Sequence, residues 1–286
     1  MPEPIIHGQQ LSELARLNAG ELLRSFKLPQ AGSLAWLMRA LARIPAARLA
    51  VQMVKFDRLV GNRGLTAGAN FLLESFTETL SIEHSAAVPK GGPLLIVSNH
   101  PGMVDAMALW AALDARKDIL TVARDQRLLR LLPNVCRHLI LIDPEARSAA
   151  LRQAITHLRE GGALITFPAG AIEPDPAIRW VPLADKSWSG SIALLVRAVP
   201  GLMLLPAAVS GVISPTALKH PLATLFRTEG DREWAAATLQ VLSTSHRNTR
   251  TRLIFGTPIK ANALSWDKVG VMVNAEMNRL LVRVAS

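Results

Sequence analysis

The sequence predicts an α/β fold, with a central, mostly parallel sheet flanked by helices and preceded by an N-terminal helical segment. Short apolar runs recur along the chain and alternate with helical stretches, which is the pattern of strands buried in a parallel sheet. Half of the 286 residues are hydrophobic, so the chain can form a sizeable core. We predict two domains, a helical segment over residues 1–82 and an α/β domain over residues 83–286.

The N-terminal segment is predicted to be helical over residues 9–82, with one of its helices over residues 67–80. Within it, Leu34–Val60 carries apolar side chains at helical spacing, and basic residues are interleaved with them. These basic residues are Arg39, Arg43, Arg48, Lys55 and Arg58. We interpret this pattern as an amphipathic helix, kinked or broken near Pro45, that docks on anionic lipid. The alternative is a helix packed on the α/β domain with a solvated basic face.

The α/β domain begins where short apolar runs replace the helical pattern. The predicted strands are Pro93–Ser98, Ile119–Ala123, Leu139–Ile142, Ala163–Phe167, Leu202–Val209 and Arg252–Phe255. Helices are predicted between them over Ala106–Ala115, Ala146–Glu160 and Ser189–Val199. The uncharged stretch Ala198–Leu218 is long enough to cross a bilayer, but prolines and glycines interrupt it. It is therefore predicted to be a buried strand with turns, in a protein that lies on a membrane without spanning it.

The positive net charge of the sequence indicates an anionic binding partner. A formal charge of +10 suits an anionic partner such as nucleic acid, an acidic membrane or a CoA-type ligand. No Lys/Arg-rich run or zinc-finger spacing is present, so nucleic acid is the weakest of these. The single cysteine, Cys136, excludes an internal disulfide framework and fits a reducing compartment. With no secretory signal recognised, we expect a cytoplasmic location. The histidines show no metal-ligand spacing, so no metal is expected.

One segment combines residues suited to acid–base chemistry. His100 and Asp105 follow a predicted buried strand, where ligands of parallel α/β sheets usually bind. A turn containing Pro101 and Gly102 can bring the two side chains together, so that the carboxylate orients the imidazole as a general base. The spacing alone leaves another interpretation open, a helix cap beside a surface imidazole.

The segment Asn99–Asp105 resembles the first motif of the glycerolipid acyltransferase superfamily, of the lysophosphatidate acyltransferase type, which is His, four residues, Asp. Three further blocks follow in the order of that family, and the resemblance covers about residues 85–260. These blocks are Val122–Asp125, Glu160–Gly170 and Leu204–Gly211.

The resemblance implies an acyltransferase in which an acceptor attacks the thioester of acyl-CoA or acyl-carrier protein directly. His100 would be the base and Asp105 its partner, with no metal or resident cofactor. The acyl chain would lie in an apolar tunnel, and the enzyme would be peripheral on the inner face of the cell membrane, with membrane lipids as partners. Candidate substrate-binding residues are Asn99, Arg124, Arg147, Phe167, Pro168, Gly170, Glu173 and Pro206.

The third block departs from the family pattern. Where the family has Phe-Pro-Glu-Gly-Thr-Arg-Ser, residues 167–173 read Phe-Pro-Ala-Gly-Ala-Ile-Glu. The motif arginine, which can hold a phosphate, is replaced by Ile172. This form resembles the haemolysin-like and ornithine-lipid branches, whose acceptors include amino-acid-derived lipids. Glu173 is either a substitute for the missing motif glutamate or a solvated loop residue, and Arg147 is the nearest substitute for an arginine missing from the second block.

Two other functions remain open at this point. A lipid-binding or acyl-chain-binding protein without activity would account for the altered third block, although it would not need the His100/Asp105 pair. A hydrolase would use Ser98 or Ser210 as nucleophile, but no Gly-x-Ser-x-Gly elbow surrounds either residue.

Overall fold

The computed structural model describes residues 4–28, 33–102, 104–143, 145–182, 189–261 and 266–285. The helices are α1 (Pro4–Ser25), α2 (Ser33–Arg63), α3 (Leu65–Phe76), α4 (Asp105–Ala112), α5 (Arg127–Arg130), α6 (Pro133–Cys136), α7 (Arg147–Arg159), α8 (Ser189–Ala198), α9 (Pro215–Leu218), α10 (Pro221–Thr224), α11 (Glu229–Leu242) and α12 (Trp266–Ala285). The strands are β1 (Thr79–Glu83), β2 (Leu94–Ser98), β3 (Ile119–Arg124), β4 (Leu139–Ile142), β5 (Ala163–Thr166), β6 (Met203–Ser210), β7 (Arg250–Phe255) and β8 (Ile259–Lys260).

The chain divides into two compact units. The helical unit consists of Met1–Glu78, Gln126–Val135 and Ile213–Thr249. The sheet unit consists of Thr79–Asp125, Cys136–Val212 and Arg250–Ser286. All the strands named above belong to the sheet unit.

In the helical unit, α1, α2 and α3 confirm the predicted N-terminal helices. α2 continues through Pro45, so the proline does not end the helix. Its inner face buries Ala46, Ala50 and Phe56. Asp57, on the same face, is also buried and accepts hydrogen bonds from the backbone N–H groups of Asn134 and Val135, both at 2.9 Å.

The prediction that helix extends to residue 82 is wrong at its end. α3 ends at Phe76, and Thr79–Glu83 form β1, which pairs in parallel with β7. Leu80 and Ile82 alternate with polar residues there, which is the two-residue period of a strand. The helical period of the preceding residues concealed this change.

The sheet has the strand order β1-β7-β6-β2-β5-β3-β4, with β8 beside β6. The strands β6, β2, β5, β3 and β4 are mutually parallel, which confirms the predicted mostly parallel sheet. β7 and β8 run antiparallel to β6. Every residue of β2 is buried, as expected of a strand covered on both faces. Because β2 and β5 are parallel neighbours, the residues that follow them meet at the same edge of the sheet.

The stretch Ala198–Leu218 forms the buried strand β6, as predicted. Pro206 lies within it, where a missing N–H would normally cost a ladder hydrogen bond. The cost is avoided because the β8 pairing involves only Met203 and Leu204, while the β7 pairing begins at Ala207. The carbonyl of Pro206 still accepts a hydrogen bond from the N–H of Gly256 at 2.7 Å. Among the residues that the structure describes, no helix is both long and apolar enough to cross a membrane.

Candidate active site

His100 and Asp105 are in direct contact at the carboxyl end of β2. The Nδ1 atom of His100 lies 2.7 Å from Oδ2 of Asp105. The side chain of Asp105 is 3 % exposed, whereas that of His100 is 29 % exposed. Since Nδ1 is engaged by the carboxylate, Nε2 is the ring nitrogen that can exchange a proton with a substrate.

The turn before α4 holds the Asp105 carboxylate in place. Its oxygens also accept the backbone N–H groups of Gly102, at 2.8 Å, and Ala106, at 2.6 Å. Gly102 has a φ of 89°, a conformation that glycine adopts at no steric cost. The carboxylate therefore has three hydrogen-bond partners, which fix its orientation toward the imidazole.

The electrostatic surroundings act on the His100 imidazole in two directions. Burial disfavours the protonated ring, whereas the hydrogen bond and the negative charge of Asp105 favour it. The charge of Glu173 adds to the same effect, so the pKa of His100 is raised above its ordinary value. The positive charge that forms when His100 accepts a proton is thus stabilised by two carboxylates.

The end of β5 contributes an aromatic wall. The ring of Phe167 stacks on the imidazole of His100, with centroids 4.4 Å apart and an interplanar angle of 27°. Pro168, next in the chain, is half-buried, and Gly170 is exposed in a turn with a φ of 65°. The stacking limits the orientations that the imidazole can adopt.

Glu173 is bound to the backbone of His100. Its Oε2 atom accepts the N–H of His100 at 2.8 Å, and its own N–H donates to the carbonyl of His100, also at 2.8 Å. Ile172, its neighbour, lies against Gly102: a Cβ at position 102 would be 3.2 Å from Cδ1 of Ile172. The loop after β5 therefore packs directly on the first motif.

Asp175 anchors this loop, and the sequence reasoning missed it. The residue is fully buried, and its carboxylate accepts the N–H groups of Gly211 at 2.8 Å, Val212 at 2.7 Å and Ala177 at 3.0 Å. The available signal was its place between Pro174 and Pro176, since an acid in a Pro-rich turn is suited to bind N–H groups from elsewhere.

Asn99 lies beside His100 but is turned toward the sheet. It is 2 % exposed, and its amide exchanges two hydrogen bonds of 2.8 Å with the backbone of Val209 in β6. This pair extends the contact between β2 and β6 beyond the end of β2. Pro206 is buried within β6, on the strand next to β2.

The candidate arginines lie farther along the same edge of the sheet. Arg124 ends β3, two strand spacings or roughly 10 Å from β2, and Arg147 begins α7 after β4. Both are exposed. The structure thus brings together His100, Asp105, Phe167 and Glu173, and places the two arginines at a distance from that group.

A small cleft adjoins Glu173 within the sheet unit. The residues that line it are Asn99, Glu173, Pro174, Pro176, Arg179, Trp180, Val181 and Leu281. Several apolar side chains of the same loop are exposed, and these are Ile172, Ile178, Trp180 and Val181. The loop after β5 therefore exposes apolar side chains beside the cleft that adjoins Glu173. The apolar tunnel expected for an acyl chain stays a prediction.

Comparison with known proteins finds a matching family model and similar solved structures. Residues 79–210 match a family model described as Acyltransferase. The chain also resembles a solved structure, the 1-acyl-sn-glycerophosphate (LPA) acyltransferase PlsC from Thermotoga maritima, with a TM-score of 0.50 and 15 % sequence identity, over 99 % of this chain and 94 % of that one. No curated protein matches the sequence. At this sequence identity, the structural likeness shows a similar fold.

Proposed function

We propose that this chain transfers a fatty acyl group from acyl-CoA or acyl-carrier protein to a lyso-lipid, because residues 79–210 match a family model described as Acyltransferase. The observation that carries the proposal is the contact of 2.7 Å between His100 Nδ1 and Asp105 Oδ2. That contact fixes one tautomer of the imidazole and leaves Nε2 to act as general base.

The proposed reaction is a single displacement at the thioester. Nε2 of His100 removes the proton from the acceptor hydroxyl or amine as its oxygen or nitrogen attacks the carbonyl carbon. The resulting tetrahedral oxyanion collapses, the carbon–sulfur bond breaks, and the leaving thiolate takes the proton from the imidazolium. Asp105 stabilises the imidazolium between these two steps.

The test compares matched histidine variants in an acyl-transfer assay. We expect His100→Asn to lower kcat by about 10²–10⁴-fold, which is the usual contribution of a general base. His84→Asn is the control because His84 is exposed in the same unit and has a φ of 59°, which asparagine tolerates. A His100→Asn enzyme with the turnover of the parent would remove His100 from the mechanism.

The proposed acceptor is a lyso-lipid other than lysophosphatidate, because the third motif lacks the arginine that would bind a phosphate head group. Ile172 offers no hydrogen-bond donor where the family pattern has arginine, and it packs on Gly102. Lysophosphatidate, a zwitterionic lysoglycerophospholipid and an amino-acid-derived lyso-lipid should be offered in parallel. We expect one of the last two to be acylated with the higher kcat/KM, and a clear preference for lysophosphatidate would contradict this acceptor class.

A lipid-binding protein without turnover is the second candidate, favoured by the altered third motif alone. It predicts tight acyl-chain binding and no product with any acceptor of the panel. The Asp105–His100 contact argues against it, because binding an acyl chain does not require an oriented imidazole.

We also propose that α2 docks the protein on the inner face of the cell membrane. Exposed apolar residues recur on α2 three or four positions apart, at Leu37, Leu41 and Ile44, and Val51 continues the row. The exposed residues Arg39, Arg43, Arg48, Lys55 and Arg58 lie on the same helix. Its single acidic residue, Asp57, is buried. Each cation near an anionic leaflet contributes about 1 kcal/mol.

Vesicle sedimentation tests the docking. We expect the protein to bind phosphatidylglycerol vesicles more strongly than phosphatidylcholine vesicles. The double variant Leu41→Asp/Ile44→Asp should lose most of this binding. The control is Val271→Asp/Val282→Asp, which adds the same charge at exposed apolar positions of α12. Equal losses in both variants would refute a specific role for α2.

A further inference from the structure

Glu173 makes a two-way backbone contact with the catalytic segment. Its carboxylate accepts the N–H of His100, and its own N–H donates to the carbonyl of His100, each at 2.8 Å. Both polar groups of the His100 backbone are therefore bound to one residue. Because the direction of a side chain follows from its backbone, this contact bears on where the imidazole points.

A buried anchor holds Glu173 at this position. Asp175, two residues later, is fully buried and binds the N–H groups of Gly211 and Val212 at the end of β6. Backbone hydrogen bonds from Ile178 and Arg179 to the carbonyl of Asp175, both of 2.9 Å, close the following turn. The loop is thus tied to the sheet immediately after Glu173.

The charge of Glu173 also reaches the imidazole. Among the residues that the structure describes, the side chains that contact His100 are Asp105 on α4, Glu173 on the loop after β5 and the uncharged ring of Phe167. Arg179 lines the same cleft as Glu173. A carboxylate bonded to the backbone of His100 favours the protonated ring from a direction that Asp105 does not occupy.

We propose that Glu173 is a positioning residue for His100, which holds the backbone of the base through two hydrogen bonds and supplies a second negative charge to its imidazolium. This role rests on the proposed function of His100 as general base. In this chain Ala169 stands where the family pattern has glutamate, and Glu173 lies four positions later. The proposal gives Glu173 a role at the site from which the motif glutamate is missing.

Three variants test the proposal. Glu173→Ala removes the side-chain hydrogen bond and the charge, whereas Glu173→Gln keeps an oxygen that can accept the His100 N–H and removes only the charge. Glu160→Gln is the control, because Glu160 is an exposed carboxylate of the same unit at the opposite end of β5. The readouts are kcat and KM across pH, and the NMR titration of the His100 imidazole, assigned by its loss in His100→Asn.

We expect Glu173→Ala to lower kcat by about 10²-fold with little change in the KM for the acyl donor, as displacement of a reacting group does. Glu173→Gln should recover most of that loss. In Glu173→Gln, the acidic limb of the rate profile and the titration of His100 should both move to lower pH, because a neighbouring negative charge is gone. Glu160→Gln should move neither.

The outcomes separate this proposal from the proposed function. Parent-like kcat in Glu173→Ala, or a His100 titration that is the same in the parent and in Glu173→Gln, overturns the positioning role. If the parent protein acylates no acceptor, the NMR titration still decides, since it requires no turnover. A shifted titration then supports the contact while the acyl-transfer proposal fails on its own.

Discussion

Replacement of Asp175 by asparagine should destabilise the sheet unit and displace the loop that carries Glu173. Oδ1 of Asp175 accepts two N–H groups, from Gly211 and Ala177, and Oδ2 accepts one, from Val212. The side-chain oxygen of asparagine can accept the N–H groups of Gly211 and Ala177. The side-chain NH₂ group then faces the N–H of Val212, and two donors cannot form a hydrogen bond with each other. A buried donor left without an acceptor costs about 1–3 kcal/mol.

Alanine at position 175 should cost more, because all three N–H groups lose their acceptor. Hydrogen bonds to a charged group contribute about 1.5–3 kcal/mol each, and the carboxylate's own desolvation offsets part of this, so we expect a loss of roughly 3–5 kcal/mol. The predicted order of stability is therefore parent, asparagine, alanine. Asp143→Asn is the control, since Asp143 is exposed in the same unit.

Urea denaturation gives the free energies of unfolding, and hydrogen exchange of the peptides around residues 172–180 and 205–213 locates the change. Exchange should accelerate in both peptides in Asp175→Asn and in neither in Asp143→Asn. Unchanged exchange together with a parent-like midpoint for Asp175→Ala would show that the buried carboxylate does not anchor the loop.

Four further substitutions have defined outcomes. Asp105→Asn should lower kcat by about 10²–10⁴-fold. The acidic limb of kcat/KM should move to lower pH, because one of the two carboxylates that raise the pKa of His100 is neutralised. Gly211→Ala places a Cβ 2.2 Å from the carbonyl oxygen of Arg250, whereas a Cβ at Gly170 meets nothing within 4 Å. Both glycines have positive φ, so thermal unfolding should show a loss of about 1 kcal/mol at position 170 and a much larger one at position 211. Arg116→Met should cost about 3–5 kcal/mol in urea unfolding, because the buried guanidinium binds Asp118 and three backbone carbonyls.

The sequence predicts the strands of this fold well where they are buried on both faces. β2, β5 and β6 are largely continuous apolar runs, and such runs need no knowledge of the partner strand to be recognised. The partly exposed β1 has the weaker alternating pattern and escaped prediction. The antiparallel direction of β7 could not be predicted either, because strand direction depends on the path of the chain between strands and not on the residues within them.

The contact between His100 and Asp105 could be predicted from the sequence, whereas the contacts that support it could not. His100 and Asp105 are five residues apart across a Pro-Gly turn, so local geometry suffices to bring them together. The contact of Phe167 with His100 requires that β5 pairs with β2, and that of Glu173 requires the anchored loop beyond β5. Phe167 and Glu173 follow His100 by 67 and 73 residues, and no local sequence pattern relates either of them to His100.

In the reaction that we propose, the two carboxylates near His100 stabilise the positive charge that appears on its imidazole during proton transfer. Before proton transfer the imidazole is neutral, and its partial burial disfavours any charge on it. When Nε2 takes the acceptor proton, a positive charge develops between Asp105, bound at Nδ1, and Glu173, bound at the backbone. Both carboxylates are already held by hydrogen bonds of 2.6–2.8 Å, so they need not reorganise to stabilise it. An arrangement that favours the imidazolium more than the neutral ring promotes the proton transfer itself. For this reason we propose that the loop after β5 contributes to catalysis, although its motif glutamate is absent.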